Sequence, residues 1–304
     1  MDTIKAALRE LKKLMPELEI RRNEPMSGHC SFRIGGPVAA MAFPKSGEEC
    51  EYLAQLLASF GIEPLVIGNG TNLLVSDEAL DIFVIKTCDG MGQAELLDEN
   101  TLRAGAGITL SRLAVFARDN GLTGLEFAHG IPGSLGGAVT MNAGAYGGEM
   151  KDVLSSVSFL DSDAELFRLP AGELGLGYRR SIFSDTGSII LDAEIRLTPG
   201  DRGEIGARMR ELAQKRRASQ PLDMPSAGST FKRPATGYAA ALIDSCGLKG
   251  FRIGGAMVSE KHAGFVVNAG GASFEDVLAV MEHVVDTVLA RTGTELEPEV
   301  KIIM

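Results

Sequence analysis

Apolar residues recur every three or four positions in six stretches of the chain. The first contains Ile4, Ala7, Leu8, Leu11 and Met15, which predicts an amphipathic helix at the N-terminus. The same spacing predicts five more helices, at 46–61, 110–119, 201–217, 239–245 and 274–291. The helix at 46–61 begins with a Ser-x-x-Glu capping box, and the helix at 274–291 follows Ser273 with Asp276 three residues later.

Short apolar runs between these helices predict β-strands. They lie at 32–43, 64–67, 73–75, 82–85, 101–104, 153–160, 165–169, 189–197, 251–258, 264–267 and 300–303. Strands and helices are thus mixed along the chain. The pattern changes near Gly90 and Gly200, so we expect three parts: 1–90, 91–200 and 201–304.

Composition narrows the class of protein. The 304 residues are 45% hydrophobic and 23% charged with a net charge of −10, which indicates a globular protein without the basic surface that nucleic acid requires. The first 15 residues lack an apolar signal region, and no uncharged stretch would make a membrane span. The four cysteines form no C-x-x-C pair and no metal-ligand cluster. We therefore expect a cytoplasmic protein with reduced thiols and no metal.

Glycine is the composition's outlier, and it is clustered. The chain has 37 glycines, about 12% against a usual level of about 7%. The loop 68–72, Gly-Asn-Gly-Thr-Asn, follows an apolar strand, and its bare main-chain N–H groups could cradle a diphosphate. A tight turn is the alternative. The loop has no third glycine and no following helix, so it is not a G-x-G-x-x-G fingerprint, and the chain has no P-loop.

A second glycine segment spans residues 130–148, in which seven of nineteen residues are glycine. Glycine costs backbone entropy on folding, so such a density favours close approach of a ligand to the main chain. Two such segments about 60 residues apart suit a long dinucleotide cofactor.

Three polar segments are candidate sites with structural alternatives. Residues 226–234 combine small residues, three hydroxyls and two cations, which suits an anion or acid site or a polar turn. Arg179 could grip a carboxylate with two parallel hydrogen bonds or be a solvated arginine. Glu299 belongs to an acidic pair before the last strand, a pattern common at surfaces. The four histidines show no catalytic spacing, and His262 is expected to be structural.

Nine short motifs, in order along the chain, point to one family. They lie at 31–36, 68–74, 131–137, 142–147, 178–183, 227–232, 254–256, 259–265 and 299–303. The ordered set resembles the bacterial UDP-N-acetylenolpyruvoylglucosamine reductases, flavoenzymes of peptidoglycan precursor synthesis. The resemblance implies a two-lobed FAD-binding module of the vanillyl-alcohol-oxidase type, at 1–90 and 91–200, and a C-terminal α+β substrate domain at 201–304.

The resemblance also assigns the glycine segments to FAD, the first to its pyrophosphate and the second to its ring and ribityl chain. The implied cofactor-binding residues are Gly68, Asn69, Gly70, Thr71, Asn72, Leu73, Ile131, Pro132, Gly133, Ser134, Gly136, Gly137, Asn142, Gly144 and Ala145. Because the loop 68–72 contains neither His nor Cys, we expect FAD to bind non-covalently.

The chemistry that the resemblance implies is reduction of an enolpyruvyl ether to a lactyl ether, with NADPH as the hydride donor to FAD. Arg179 and Glu299 would stabilise the enolate-like intermediate, and Ser229 would give the proton to carbon. Lys232 could polarise Ser229. Arg217, Lys232 and Arg233 are the candidates for the substrate's diphosphate, with Arg233 standing where many members have asparagine.

The chain resembles the shorter subgroup, which lacks a tyrosine-bearing substrate loop after the strand ending near Leu197. We expect a monomer or weak oligomer whose partner is the UDP-sugar substrate. The alternatives are a flavin-dependent oxidase of the same fold acting on another substrate, and a non-catalytic nucleotide-binding regulator that uses the basic helix at 208–217.

Overall fold

The computed structural model describes residues 2–87, 89–184 and 186–304. It divides into two compact units. Unit 1 comprises residues 1–23, 39–69 and 81–214, and unit 2 comprises residues 24–38, 70–80 and 215–304. These bounds differ from the predicted parts 1–90, 91–200 and 201–304, because short segments of the N-terminal half belong to unit 2. Cys88 lies outside the described residues, whereas Cys30, Cys50 and Cys246 are buried and form no disulfide with another described residue.

The α-helices lie close to their predicted positions, with one addition. They are α1 Asp2–Leu14, α2 Gly47–Ser59, α3 Leu110–Asp119, α4 Leu135–Thr140, α5 Arg202–Ser219, α6 Ala239–Ser245 and α7 Phe274–Thr292. The addition is α4, a six-residue helix inside the second glycine segment. Across the described residues, no helix combines the length and apolarity that crossing a bilayer requires.

The strands of the first half are β1 Glu19–Pro25, β2 Pro37–Phe43, β3 Leu65–Ile67, β4 Leu73–Val75, β5 Leu80–Lys86, β6 Ala94–Leu96, β7 Thr101–Gly105, β8 Leu122–Thr123, β9 Gly144–Ala145 and β10 Gly148–Glu149. Those of the second half are β11 Leu154–Leu160, β12 Leu166–Pro170, β13 Ile189–Arg196, β14 Thr198–Pro199, β15 Arg252–Ile253, β16 Ala256–Val258, β17 Val266–Asn268 and β18 Lys301–Ile303.

Unit 1 is built around a five-stranded antiparallel sheet of order β12-β11-β13-β7-β6. Its inner face packs on α3 and α4 in a core that includes Leu113, Leu135, Val157 and Ala193. Burial of these apolar side chains stabilises the unit, and it fixes the place of α4 relative to the sheet.

A second sheet of order β1-β2-β5-β3 packs with α1 and α2 through Leu11, Leu53 and Phe83. The side chain of Ser46 caps α2 by accepting a hydrogen bond from the Glu49 N–H at 3.1 Å, as predicted. The carboxylate of Glu49 accepts from the main-chain N–H of Lys45 instead of that of Ser46, so the predicted box is only half formed.

In unit 2, the three-stranded sheet β15-β16-β17 packs against α7. Ser273 and Asp276 form the predicted capping box of α7, and Val277, Val280 and Val284 of that helix are fully buried. A parallel pair of strands, β4 and β18, joins the segment after the first glycine loop to the C-terminus, with Leu73 opposite Lys301.

The predicted single strand at 251–258 is wrong, because the structure folds it into the hairpin β15–β16. Gly254 turns the chain with a φ of +51°, and a Cβ there would lie 2.2 Å from the Asp276 carboxylate. The predicted strand at 32–43 is shorter than expected: β2 begins at Pro37, after Gly35 with a φ of +137°.

Candidate active site

In unit 1 the first two residues of the first glycine loop, Gly68 and Asn69, contact the second glycine segment. A Cβ on Gly68 would lie 2.0 Å from Oγ of Ser134, so no other residue fits there without moving Ser134. The side-chain amide of Asn69 donates to the carbonyl of Pro132 over a long 3.4 Å. These contacts bring the predicted residues of the two segments in unit 1 together.

Main-chain hydrogen bonds fix the start of the second glycine segment. The N–H of Leu110 donates to Gly133 O at 3.0 Å, and the N–H groups of Leu135 and Gly136 donate to Ile108 O and Ala106 O at 2.9 Å each. A Cβ on Gly136 would come within 3.1 Å of the Ala106 side chain. The start of the segment is therefore an edge of unit 1 that main-chain hydrogen bonds hold in place.

Two features of this edge suit a bound cofactor. The hydroxyl of Ser134 is buried and has no hydrogen-bond partner among the described residues, which is unusual because burying an unpaired polar group is costly. Gly137 is exposed, and a Cβ there would meet only Ser134 Oγ, at 3.8 Å. Open space beside bare main chain and an unused hydroxyl fit the FAD that the motifs imply.

Asn142 is fully buried, and its side chain bonds to protein groups. Its Nδ2 donates to Glu149 Oε2 at 2.9 Å and to Gly177 O at 3.0 Å, and its Oδ1 accepts from the N–H of Lys151 at 2.8 Å. Both amide donors are thus used within unit 1. Contact between the Asn142 side chain and the cofactor stays a prediction.

Gly144 and Ala145 form one strand of the small hairpin β9–β10. A Cβ on Gly144 would lie 2.7 Å from Gly148 O, so the close pairing of the strands requires glycine. Tyr146 and Gly147, at the turn, both have positive φ, of +54° and +90°. The bare turn of this hairpin explains part of the glycine density of the segment.

Arg179 lies in a tight turn of unit 1. Gly177 and Arg180 pair across the turn, and Arg179 has the left-handed φ of +55°, which is uncommon for a residue other than glycine. Its guanidinium lies 5.3 Å from the ring centroid of Tyr178. The hydroxyl of Ser181 donates to the carbonyl of Thr140 at 2.7 Å and ties the turn to the end of α4.

In unit 2 the rest of the first glycine loop lies beside Glu299. Gly70 has a φ of +59°, and a Cβ there would lie 2.1 Å from His29 O. The side-chain amide of Asn72 donates to Glu299 O at 2.9 Å, and the N–H of Lys301 donates to Asn72 O at 2.9 Å. Thr71 and Leu73 lie on either side of Asn72, so these two hydrogen bonds also fix the course of their main chain.

Ser229 and Glu299, both in unit 2, are carried by neighbouring segments of main chain. The N–H of Glu299 donates to Thr230 O at 2.8 Å, and Phe231 pairs with Pro298. Thr230 is fully buried, and its hydroxyl accepts from the N–H of Val266 at 2.9 Å. Ser229 itself is exposed and Glu299 is half-buried, so the buried Thr230 anchors the main chain that carries Ser229 next to the segment that carries Glu299.

The three predicted diphosphate cations have protein contacts of their own. Lys232 forms an ion pair with Glu297. The guanidinium of Arg233 lies 4.2 Å from the ring centroid of Tyr238, and its Nε donates to Gly237 O at 3.3 Å. Arg217, near the end of α5, has an exposed side chain, and its carbonyl accepts from Lys261 Nζ at 2.5 Å.

His262 has the structural role that the sequence predicts. Its Nδ1 accepts from the N–H of Gly264 at 3.2 Å, and burial lowers the pKa of the imidazole. The carbonyl of the same Gly264 accepts from the N–H of Thr230 at 2.8 Å. Burial, and then the charge of Arg118, also lower the pKa of His129, which precedes the second glycine segment.

Sequence reasoning missed the residues that hold the candidate residues in place. Ser31 is one: its hydroxyl donates to Ser226 O at 2.6 Å, and its N–H donates to Gly70 O at 3.0 Å. Thr230 and Ser181 are two others. Each lies within one of the nine motifs, which was the available signal, but the sequence does not show which partner a hydroxyl reaches.

Comparisons with known proteins agree with the motifs. Residues 38–170 match the FAD binding domain family, and residues 220–303 match the C-terminal domain of UDP-N-acetylenolpyruvoylglucosamine reductase. The chain is 46% identical to the reductase of that name from Caldanaerobacter subterraneus subsp. tengcongensis, over 97% of each chain. It is 45% identical to the one from Clostridium tetani, over 93% of this chain and 92% of the relative.

A solved structure gives the same answer for the fold. The crystal structure of UDP-N-acetylenolpyruvylglucosamine reductase from Thermus caldophilus matches with a TM-score of 0.80 at 34% identity, covering 95% of this chain and 99% of that one. The family resemblance and the predicted α+β fold, with an FAD-binding domain and a separate C-terminal domain, are confirmed.

Proposed function

Because the chain belongs to the UDP-N-acetylenolpyruvoylglucosamine reductase family of FAD-binding oxidoreductases, we propose that it reduces the enolpyruvyl ether of UDP-N-acetylglucosamine to UDP-N-acetylmuramate, with NADPH as the electron source. The product is a peptidoglycan precursor, and we place the reaction in the cytoplasm. The observation that carries the proposal is the Ser229–Glu299 arrangement, in which the Glu299 N–H donates to Thr230 O at 2.8 Å beside the anchored Asn72 loop.

The reaction adds one hydride and one proton across a carbon–carbon double bond, and NADPH becomes NADP⁺. FAD, when bound, supplies the hydride to the terminal methylene carbon. Negative charge then develops on the adjacent carbon and its carboxylate, so this chain must supply groups that stabilise the charge and one proton donor for carbon.

Arg179 is our candidate for the substrate carboxylate, since a guanidinium can hold a carboxylate with two parallel hydrogen bonds. Donors aimed at developing charge contribute about 10²–10³ in rate. Ser229 is the candidate proton donor, because the residue is exposed and a substrate can reach its hydroxyl. A positioned acid contributes about 10²–10⁴. Glu299, on the neighbouring segment, would stabilise the same intermediate in its protonated form.

The residues that we propose to hold FAD belong to the two glycine segments. They are Gly68, Gly137, the unpaired Ser134 hydroxyl and the loop 70–73. The loop 68–72 offers no His or Cys for a covalent link, which supports non-covalent binding. Arg217, Lys232 and Arg233 remain our candidates for the substrate's diphosphate.

An anaerobic absorbance titration tests the function. The purified protein should be yellow, NADPH should bleach the flavin absorbance, and the enolpyruvyl substrate should restore it in a one-to-one ratio. Protein that takes up no FAD would contradict the proposal. Bleaching by NADPH without recovery on adding substrate, together with rapid peroxide formation in air, would favour a flavin oxidase acting on another substrate.

A further inference from the structure

We propose that Asn142 is a positioning residue, which fixes the turn that carries Arg179 by donating a hydrogen bond to the carbonyl of Gly177. The inference rests on the proposed role of Arg179 and adds a residue to it. It starts from the side chain of Asn142, which is fully buried in unit 1 and bonds to three protein groups.

The hydrogen-bonding groups around Asn142 match a side-chain amide. Two acceptors, Glu149 Oε2 at 2.9 Å and Gly177 O at 3.0 Å, face Nδ2, and one donor, the N–H of Lys151, faces Oδ1 at 2.8 Å. An aspartate would oppose two acceptors with a negative charge, and an alanine would remove all three bonds. The residue also has a φ of +43°, a conformation that asparagine tolerates better than most side chains do.

The Gly177 carbonyl is two residues from Arg179 and lies at one end of its turn. The N–H of Gly177 donates to Arg180 O at 3.0 Å, closing the turn in which Arg179 has a φ of +55°. At the other end, the Ser181 hydroxyl holds Thr140 O at 2.7 Å. The turn is thus attached at both ends to residues 140–142, at the C-terminal end of α4.

This attachment matters because the proposed role of Arg179 depends on the orientation of its guanidinium. A guanidinium pairs with a carboxylate only in a narrow geometry, and a displacement of about 1 Å can cost about 10²-fold in rate. The hydrogen bond from Asn142 leaves the chemistry of Arg179 unchanged but sets where its main chain lies.

The first test is a double-mutant cycle on turnover. Asn142→Ala should lower the rate at which substrate re-oxidises the reduced flavin by about 10–10²-fold. In an Arg179→Ala background the same substitution should have almost no further effect, because the residue that it positions is gone. An equal loss in both backgrounds would overturn the inference and leave the proposed function intact. An Arg179→Ala enzyme with normal re-oxidation would overturn both.

The second test needs neither FAD nor substrate. Trypsin cleaves after Arg179 and Arg180, and cleavage of a folded protein reports local opening of the segment. Asn142→Asp should lower Tm, and at a temperature well below its own Tm, where the protein stays folded, it should raise the cleavage rate at these two arginines more than tenfold. Unchanged cleavage in this variant would overturn the inference.

Glu149 provides the matched controls. Glu149→Gln keeps an acceptor for Asn142, so its turnover and its cleavage should stay within about twofold of wild type. In the double variant Asn142→Asp with Glu149→Gln, the new amide at position 149 can donate to the new carboxylate at position 142, while Gly177 O still faces an acceptor. This variant should regain Tm but keep the low turnover and the fast cleavage; recovery of all three would contradict a role through Gly177.

Discussion

The side-chain amide of Asn72 donates a hydrogen bond to the main-chain carbonyl of Glu299 over 2.9 Å, across 227 residues of sequence. Two more main-chain bonds flank it, from Lys301 to Asn72 and from Glu299 to Thr230. The first glycine loop therefore has two roles. Its main chain is available to the cofactor, and Asn72 fixes the segment that carries Glu299, whose carboxyl we propose to stabilise the intermediate.

Replacing Asn72 should separate these two tasks. Asn72→Asp puts a carboxylate against Glu299 O, so Glu299 should move and kcat should fall about tenfold or more, with a smaller change in FAD affinity. Stopped-flow absorbance and a fluorescence titration of FAD measure the two effects. Asn120→Ala is the control. It removes a hydrogen bond from the Asn120 side-chain amide to Phe116 O at the end of α3, and it should leave kcat and FAD affinity unchanged. A loss of FAD affinity alone would show that Asn72 serves only the cofactor.

Gly137→Ala tests whether bare main chain at α4 is kept for a ligand. Alanine favours a helix by about 0.8–1.0 kcal/mol over glycine, and a Cβ here meets only Ser134 Oγ, at 3.8 Å. The FAD-free protein should therefore unfold at equal or higher urea concentration, while its affinity for FAD falls. By contrast, Gly68→Ala, with its contact at 2.0 Å, should lose both stability and affinity. Full FAD affinity in Gly137→Ala would place the cofactor elsewhere.

The buried His262 should make stability depend on pH. Burial lowers its pKa from the ordinary value of 6.5, so the unfolded chain binds the proton more tightly than the folded one. Stability is then complete above about pH 6.5 and falls as the pH drops below it. Urea unfolding of the wild type and of His262→Gln, from about pH 7.5 to about pH 5.5, should show a steeper loss in the wild type. Parallel curves would mean that His262 titrates alike in both states.

Lys232 and Glu297 form an exposed ion pair, which contributes little to stability, about 0–1 kcal/mol. If Lys232 binds the diphosphate, Lys232→Met should raise KM about tenfold with kcat nearly unchanged, and Glu297→Gln should lower KM by releasing the lysine. Steady-state kinetics at two salt concentrations measure both. A fall in kcat with constant KM would instead assign Lys232 to polarising Ser229.

Local patterns predicted most of the fold because they act over a few residues. The helical spacing and the Ser273–Asp276 capping box predicted α7 to within one residue of its observed end, Thr292. The strand β1, Glu19–Pro25, was missed because its sequence is mostly charged and mostly exposed, so it has no apolar alternation. The helix α4 was missed because tertiary packing of Leu135 and Val139 overrides the low helix propensity of its glycines.

For the candidate site, the motifs identified the residues but not their partners. Asn72 and Asn142 were both predicted as cofactor-binding residues, which stays a prediction, and each also donates to a main-chain carbonyl near a proposed catalytic residue. Such contacts join residues 35 or 227 positions apart, and no local spacing encodes them. Convergence of Arg179 with Ser229 and Glu299 stays a prediction.

The most direct measurement of the central claim is rapid-mixing absorbance on Ser229→Ala in the two half-reactions. If Ser229 hands the proton to carbon, NADPH should reduce the flavin at the wild-type rate, and the enolpyruvyl substrate should re-oxidise it about 10²–10⁴-fold more slowly. Re-oxidation at the wild-type rate would contradict the account, because the proton would then come from another group.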